Sequence, residues 1–363
     1  SNATSATTNP AVTLRTVGAG EAAAFTFDLA RSIVYTRQGN PAWAGDERDG
    51  LAPIRSNDLF YGAKTGDVRP DWVNLAKVAI PQADEQQRLL ANLILRMNAD
   101  RKPLPRFWYF PRGEKAAVVM AVDNHGGPYV EPRFAAEEAA SPAGCSVENW
   151  ECVRSSAYIF LNGIPNDAAA KQWEDKGFEI GVHVNTNCGN WTPTSLANFY
   201  SDQIGAFRAK FPSLSPQTTH RTHCIAWSDW TTQASVSLAS GIRLDTNYYY
   251  WPSGWVNNTP GFFTGSGMPM RFASLDGSLI DVYQATTQMT DESGQAYPFT
   301  INTLLDRAIG PEGYYGAFVA NMHSDGTTDD QAEAVVASAL ARSVPVVSAK
   351  QMLTWLDGRN GST

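Results

Sequence analysis

Residues 117–127 read AVVMAVDNHGG, an apolar run that stops at Asp123, Asn124 and His125 and then turns on two glycines. An acid, an amide and an imidazole at the end of a buried strand are one proton acceptor and two lone-pair donors. Similar runs end in GVHVNTNC (His183, Asn187, Cys188), HRTHC (His220, Arg221, His223), LDTN (Asp245) and ANMHSD (His323, Asp325). All 5 histidines of the chain stand at such ends.

Aspartate, histidine and amide side chains at strand ends can hold a divalent metal with open positions. A carboxylate beside the metal takes a proton from water, and a histidine opposite returns one to a leaving group. An arginine keeps that carboxylate ionised. Together these make the apparatus for metal-assisted hydrolysis of an amide or ester. No G-x-S-x-G elbow is present for a serine hydrolase. A glycosidase would need two rim acids, which Asp123 and Asp245 would supply, so that reading stays open. Singly, each residue has a plainer role: a lone histidine as structural donor, Asp123 as a cap or Asx-turn, Arg221 as an ion-pair partner. The set outweighs them only if the topology brings the strand ends to one rim.

The elements that would do so begin near Ala116. AAVVMAV, SAYIFLN, FEIGVHV, QTTHRTH, GIRLDTN, SLIDVYQ, GAFVANMH and VPVVSA read as strands, and helices fall between most of them. Seven or eight β/α units in about 240 residues is the size of a (β/α) barrel, whose chemistry sits at the C-terminal strand ends. The expected fold is α/β: a distorted, TIM-like (β/α)7–8 barrel over residues 111–358, with an N-terminal α/β extension over 15–110 and a flexible start over 1–14. A doubly wound open sheet is the runner-up, without a GxGxxG or Walker loop to give it a nucleotide. Helix signals include Asp84 before an amphipathic run with Leu89, Leu90, Leu93, Ile94 and Met97. Others are NDAAAKQWEDKG from Asn166 to Gly177, Asp329 before DQAEAVVASALAR, and Ser348 with Gln351 as a capping box, with Gly358 past the end. AAAFTFDLARSIVYTRQGN, earlier in the chain, is β-rich at both ends.

The net charge of -8 and the lack of basic clusters argue against nucleic acid or an anionic membrane as partner. No apolar run reaches the ~18 residues of a membrane-spanning helix. The opening Ser-Asn-Ala reads as a cloning remnant, so a missing leader is uninformative. The 11 Trp, 13 Tyr and 16 Phe offer flat faces for sugar rings, with core packing as the plainer role. Few lysines and 4 cysteines without a CxxC suggest an exported protein. We expect Cys145–Cys152 and Cys188–Cys224 pairs; four buried thiols are the equal alternative.

The order of these motifs resembles the polysaccharide deacetylases with a NodB-homology domain. AVVMAVDNHGG resembles their first motif, with Asp123 at the base position and Asn124 at a metal-ligand position. KGFEIGVHVNTN resembles their second, with His183 and Asn187 as ligands. HRTHC matches the arginine motif through Arg221. FVANMHSD matches the last, with His323 as general acid. The fourth motif, an Asp and Trp pair, is matched loosely by Asp245 and Tyr248–Trp251. The resemblance covers about residues 111–357. It implies a divalent metal, zinc first, and removal of N-acetyl groups from an amino-sugar polysaccharide. His223 and the rim aromatics Trp191, Trp227, Trp230, Tyr249, Trp251 and Trp255 would then contact sugar. The cysteine-bearing loops look more like the secreted subgroup acting on galactosamine-containing exopolysaccharide, which implies a secreted or envelope location. The segment before residue 111 faintly resembles a glutamine-amidotransferase-like piece without its nucleophile.

This chain departs from the pattern at Asn124 and Asn187, where amides replace charged or imidazole ligands and weaken the set. Three outcomes follow: Asp123, His125 or His223 steps in, with His125 preferred; the metal is held weakly; or the protein is a silent sugar-binding barrel.

Overall fold

The computed structural model describes residues 9–62, 64–67, 71–101, 108–249, 258–326 and 329–362. The chain opens with an antiparallel hairpin, β1 (Val12–Val17) and β2 (Gly20–Phe25), followed by α1 (Leu29–Gln38) and α2 (Gln82–Met97). RSIVYTRQ, β-rich by composition, is helical because the Asp28 carboxylate accepts the Arg31 N–H and caps α1. Asp84 does not cap α2; Pro81 stands there. The Asp84 carboxylate instead accepts the Ser266 hydroxyl at 2.5 Å and the Gly267 N–H at 3.0 Å.

Alternation then follows as expected: β3 (Ala116–Asn124), α3 (Val130–Ala140), β4 (Ser156–Ile159), α4 (Asp167–Asp175), β5 (Glu179–Val182), α5 (Pro193–Lys210), β6 (Thr219–His220), α6 (Thr232–Ala239) and β7 (Leu244–Asp245). A hairpin of β8 (Met270–Ala273) and β9 (Leu279–Gln284) comes next. The chain closes with β10 (Thr287–Thr290), α7 (Phe299–Ile309), β11 (Gly316–His323), α8 (Asp330–Leu340), β12 (Val346–Val347) and α9 (Ala349–Gly361). Asn166 and Asp329 cap α4 and α8, and Ser348 with Gln351 forms the capping box of α9. Gly358 does not stop α9, which runs on to Gly361.

β3 is buried along its whole length, as a central parallel strand covered on both faces must be. Val118, Met120 and Val122 join the core under the helices, while Ala117, Val119 and Ala121 face an inner core with Tyr158, Leu244, Val319 and Val347. This period of two sends alternate residues into different layers. One sheet runs β10-β11-β3-β4-β5 in parallel, with β12 beside the first half of β3. The other runs β6-β7-β9-β8. Among the described residues no continuous ladder closes the strands into the expected barrel. The sheet edges are linked instead by single parallel bridges, Asn185–His223 and Tyr249–Thr287. β6 and β7 have two residues each, too short for a full ladder. The bridges still align the strands' C-terminal ends, and that alignment positions the site.

The first helices lie on the β8–β9 side: Arg37 donates to the Met268 carbonyl, and the Gln38 amide bonds Ala273 twice. Disulfides join Cys145 to Cys152 and Cys188 to Cys224. Among the described residues no helix is long and apolar enough to cross a membrane.

Candidate active site

Asp123 is the last inward residue of β3 and pairs in register with His323 on β11. It is buried, and its Oδ2 accepts from Arg221 Nε at 2.8 Å and from Asn321 Nδ2 at 2.9 Å. Its Oδ1 has no hydrogen-bond partner and stands 3.7 Å from His183 Nδ1. Burial alone would raise this carboxyl. The charges of His183, Arg221 and His323, with the Asn321 hydrogen bond, outweigh it and hold Asp123 well below the usual carboxylate range. His183 is itself driven to about 4 by burial, so at neutral pH Arg221 and His323 carry that effect. Arg221 is clamped by the Thr246 carbonyl at 2.8 Å and the Thr287 hydroxyl at 3.1 Å.

Above this pair three imidazoles converge. His125, His183 and His223 each bring a ring nitrogen within 4.8 Å of the other two. Their rings pack on Phe160, with centroids 5.4 to 5.7 Å from it. Two of the three rings are held through Nδ1. Nδ1 of His125 bonds Asp325 at 2.7 Å, and Nδ1 of His183 meets the Arg221 carbonyl at 3.0 Å. Such bonds fix the tautomer and leave Nε2 as the lone-pair donor, as around a metal-binding histidine. Burial lowers His223 as well as His183, which keeps both neutral and able to donate lone pairs. A donor set of three imidazoles with carboxylate and carbonyl partners suits zinc. The residues present therefore fit a divalent metal, with His125 and His223 beside His183.

His323 stands 5.1 Å, ring to ring, from His125. Its Nδ1 bonds Asp291 Oδ1 at 2.8 Å, its backbone N–H donates to Asp291 Oδ2 at 2.7 Å, and Glu292 lies 3.6 Å from Nε2. Burial opposes its charge. The Asp291 bond and the negative charges of Asp123, Asp291 and Glu292 nonetheless push it up to about 9. The ring is protonated at neutral pH, as a proton donor must be.

Several expected site residues lie elsewhere. Asn124 is fully buried; its Nδ2 donates to the Ser324 carbonyl at 2.8 Å, and its Oδ1 accepts the Gly126 N–H at 3.1 Å. It ties the β3 turn to the segment after β11. Asn187 is exposed in a left-handed turn (φ 58°) beside Cys188. Asp245 is fully buried, with both oxygens held by Asn247, and burial pushes it up to about 7. It props the β6–β7 edge through Asn247 and Thr222. His220 is a core histidine between Tyr158 and Tyr200. The rim aromatics Trp191, Trp227, Trp230 and Tyr249 are all buried: Trp191 and Trp230 spend their N–H on the Ala226 and Ala273 carbonyls, and Trp227 stacks on Phe272. They pack the core and offer no stacking face; Trp251 and Trp255 lie outside the described residues. Cys188 and Cys224 also lie near His223, but their sulfurs are spent on each other.

Sequence reasoning did not find Asp291, Glu292, Asn321 or Phe160. β10 reads TQMT, too polar to announce a buried strand, so the acids at its end carried no signal. Asn321 was findable, because it shares a strand face with His323 two residues on.

No family model matches the chain, and no curated protein matches it. Among solved structures it is similar to a protein assigned as a polysaccharide deacetylase from Mycobacterium smegmatis, with TM-score 0.43 and 14% identity over 72% of this chain and 96% of that one. It is also similar to the polysaccharide deacetylase Bc1974 from Bacillus cereus, with TM-score 0.32 and 10% identity over 64% of this chain and 91% of that one. A third likeness is to a BA3943 mutant, a CE4 family pseudoenzyme with restored enzymatic activity, with TM-score 0.32 and 13% identity over 70% and 73%. At such scores the likeness identifies neither a family nor an activity for this chain.

Proposed function

We propose that this protein is a metal-dependent hydrolase that removes N-acetyl groups from an amino-sugar polysaccharide outside the cytoplasm. The observation that carries the reading is one cluster holding three converging histidines, an ion-paired aspartate with a free oxygen, and a protonated histidine. The sequence resemblance supplies the substrate class, and the two disulfides support an oxidising location.

His125, His183 and His223 would hold the metal, zinc by its preference for imidazole. When bound, it supplies Lewis acidity toward an acetyl carbonyl and acidifies water. The chain's own residues do the rest. Asp123 Oδ1 takes the proton of the attacking water, and the Arg221 bond at 2.8 Å keeps the carboxylate ionised between turnovers. Attack at the carbonyl carbon and rupture of the C–N bond leave acetate and an amine. His323 delivers its proton to that nitrogen, and Asp291 holds the ring in place.

Acetate release from soluble N-acetylated amino-sugar oligosaccharides, beside elemental analysis, tests the reading. We expect zinc near one equivalent, activity lost with chelator, and a roughly 10²–10⁴-fold loss in Asp123→Asn and His323→Ala. Oligosaccharide binding without metal or acetate release would sink it.

A further inference from the structure

Glu47, Asp49 and Asp58 lie outside the active site, and each brings a carboxylate oxygen within 4.8 Å of the others. None of them forms an ion pair among the described residues. The neighbouring cations are turned away: Arg48 reaches Asp46, Asp67 and the Gly62 carbonyl and lies over the Trp43 ring. Arg55 reaches the carbonyls of Leu51, Pro53 and Cys224. Backbone N–H groups of Arg48, Asp49, Gly50, Leu51 and Arg55 knit the loop through these acids but bring no formal charge.

A second observation is independent of the acids. Asn57 is 1% exposed, its Nδ2 donates to Asp49 Oδ2 at 2.9 Å, and its Oδ1 has no partner. The carboxamide thus abuts the cluster through Nδ2 and carries a buried carbonyl-type oxygen without a donor, while the three carboxylates have no counter-ion among the described residues. One hard cation would answer both.

We propose that residues 46–58 form a calcium site, with carboxylate oxygens of Glu47, Asp49 and Asp58 and the Oδ1 of Asn57 as protein ligands. The set is all oxygen, with no nitrogen or sulfur to favour zinc, and Ca²⁺ completes an irregular oxygen shell with water. The loop also braces the active site. The Ile54 carbonyl accepts the Trp227 backbone N–H at 2.7 Å, Arg55 bridges to Ala226, and Arg55 Nε donates to the Cys224 carbonyl, next to His223. The calcium site is independent of the deacetylase reading.

Calorimetric titration of CaCl₂ into the full chain, freed of calcium with EGTA, tests it beside the melting temperature. We expect one Ca²⁺ per chain and a higher Tm on addition. Binding should weaken at least about tenfold in Asp49→Asn and in Glu47→Gln and persist in His125→Ala. No heat and no Tm shift overturns the proposal. So does binding that survives both substitutions or is lost in His125→Ala.

Discussion

Asn124 is an amide because its neighbour is an acceptor. The Ser324 carbonyl lies 2.8 Å from Nδ2, where a carboxylate would present a second oxygen in a site with no solvent. Asn124→Asp is therefore expected to destabilise the fold by about 1–3 kcal/mol, the cost of stranding buried polar groups. It should leave zinc affinity unchanged; paired thermal melts and zinc titrations check this, and tighter zinc binding would mean that residue 124 ligates. The proton donor is also set residue by residue. Acetate release should fall as pH rises through about 9, where His323 loses its proton. Asp291→Asn should shift that limb toward the ordinary histidine value of 6.5, which a pH profile resolves from a general loss of activity.

At the scale of elements, two strand ends meet through one bridge and one disulfide. Cys188 follows β5 and Cys224 follows β6, so their bond and the Asn185–His223 bridge hold His223 against His183. Replacing both cysteines by serine should cost about 2–4 kcal/mol for the lost cross-link. Zinc affinity should drop with it, because His223 is one residue from Cys224. Chemical denaturation and zinc titration of the variant read both effects, and unchanged zinc affinity would separate the disulfide from the centre. β10 makes the complementary case. It brings Asp291 to His323, yet its residues are Thr, Gln, Met and Thr, buried by neighbours rather than by their own hydrophobicity.

For the whole molecule, buried histidines set the pH window. His183 and His220 are held at about 4 and about 3, below the ordinary 6.5. As pH falls below 6.5 the unfolded chain takes up protons that the fold refuses, so stability is full above 6.5 and declines toward about 4. His323 has the opposite sign. Its pKa is raised to about 9, so its contribution is complete below 6.5 and disappears as pH rises through about 9. Melting temperatures taken in chelator across this range should therefore fall on both the acid and the alkaline side. A flat acid limb would mean that neither buried histidine stays neutral in the fold.

Much of the positioning frame was legible in the chain. Short apolar runs marked β3, β5 and β11, capping residues marked α4, α8 and α9, and every histidine stands at a strand end. These are local properties, carried by residues a few positions apart, and so they survive without coordinates. The sequence also picked out Asp123, Arg221 and His323, because strand ends converge whenever β/α units repeat. What it left open was which side chains meet. His125 and His223 rather than Asn124 and Asn187 join His183, Asp291 reaches His323, and four aromatics turn inward. Each of those outcomes depends on the direction of a Cβ in a turn and on a bridge between strands distant in sequence. Only the closed packing of the folded chain decides which oxygens, nitrogens and rings are left facing one another.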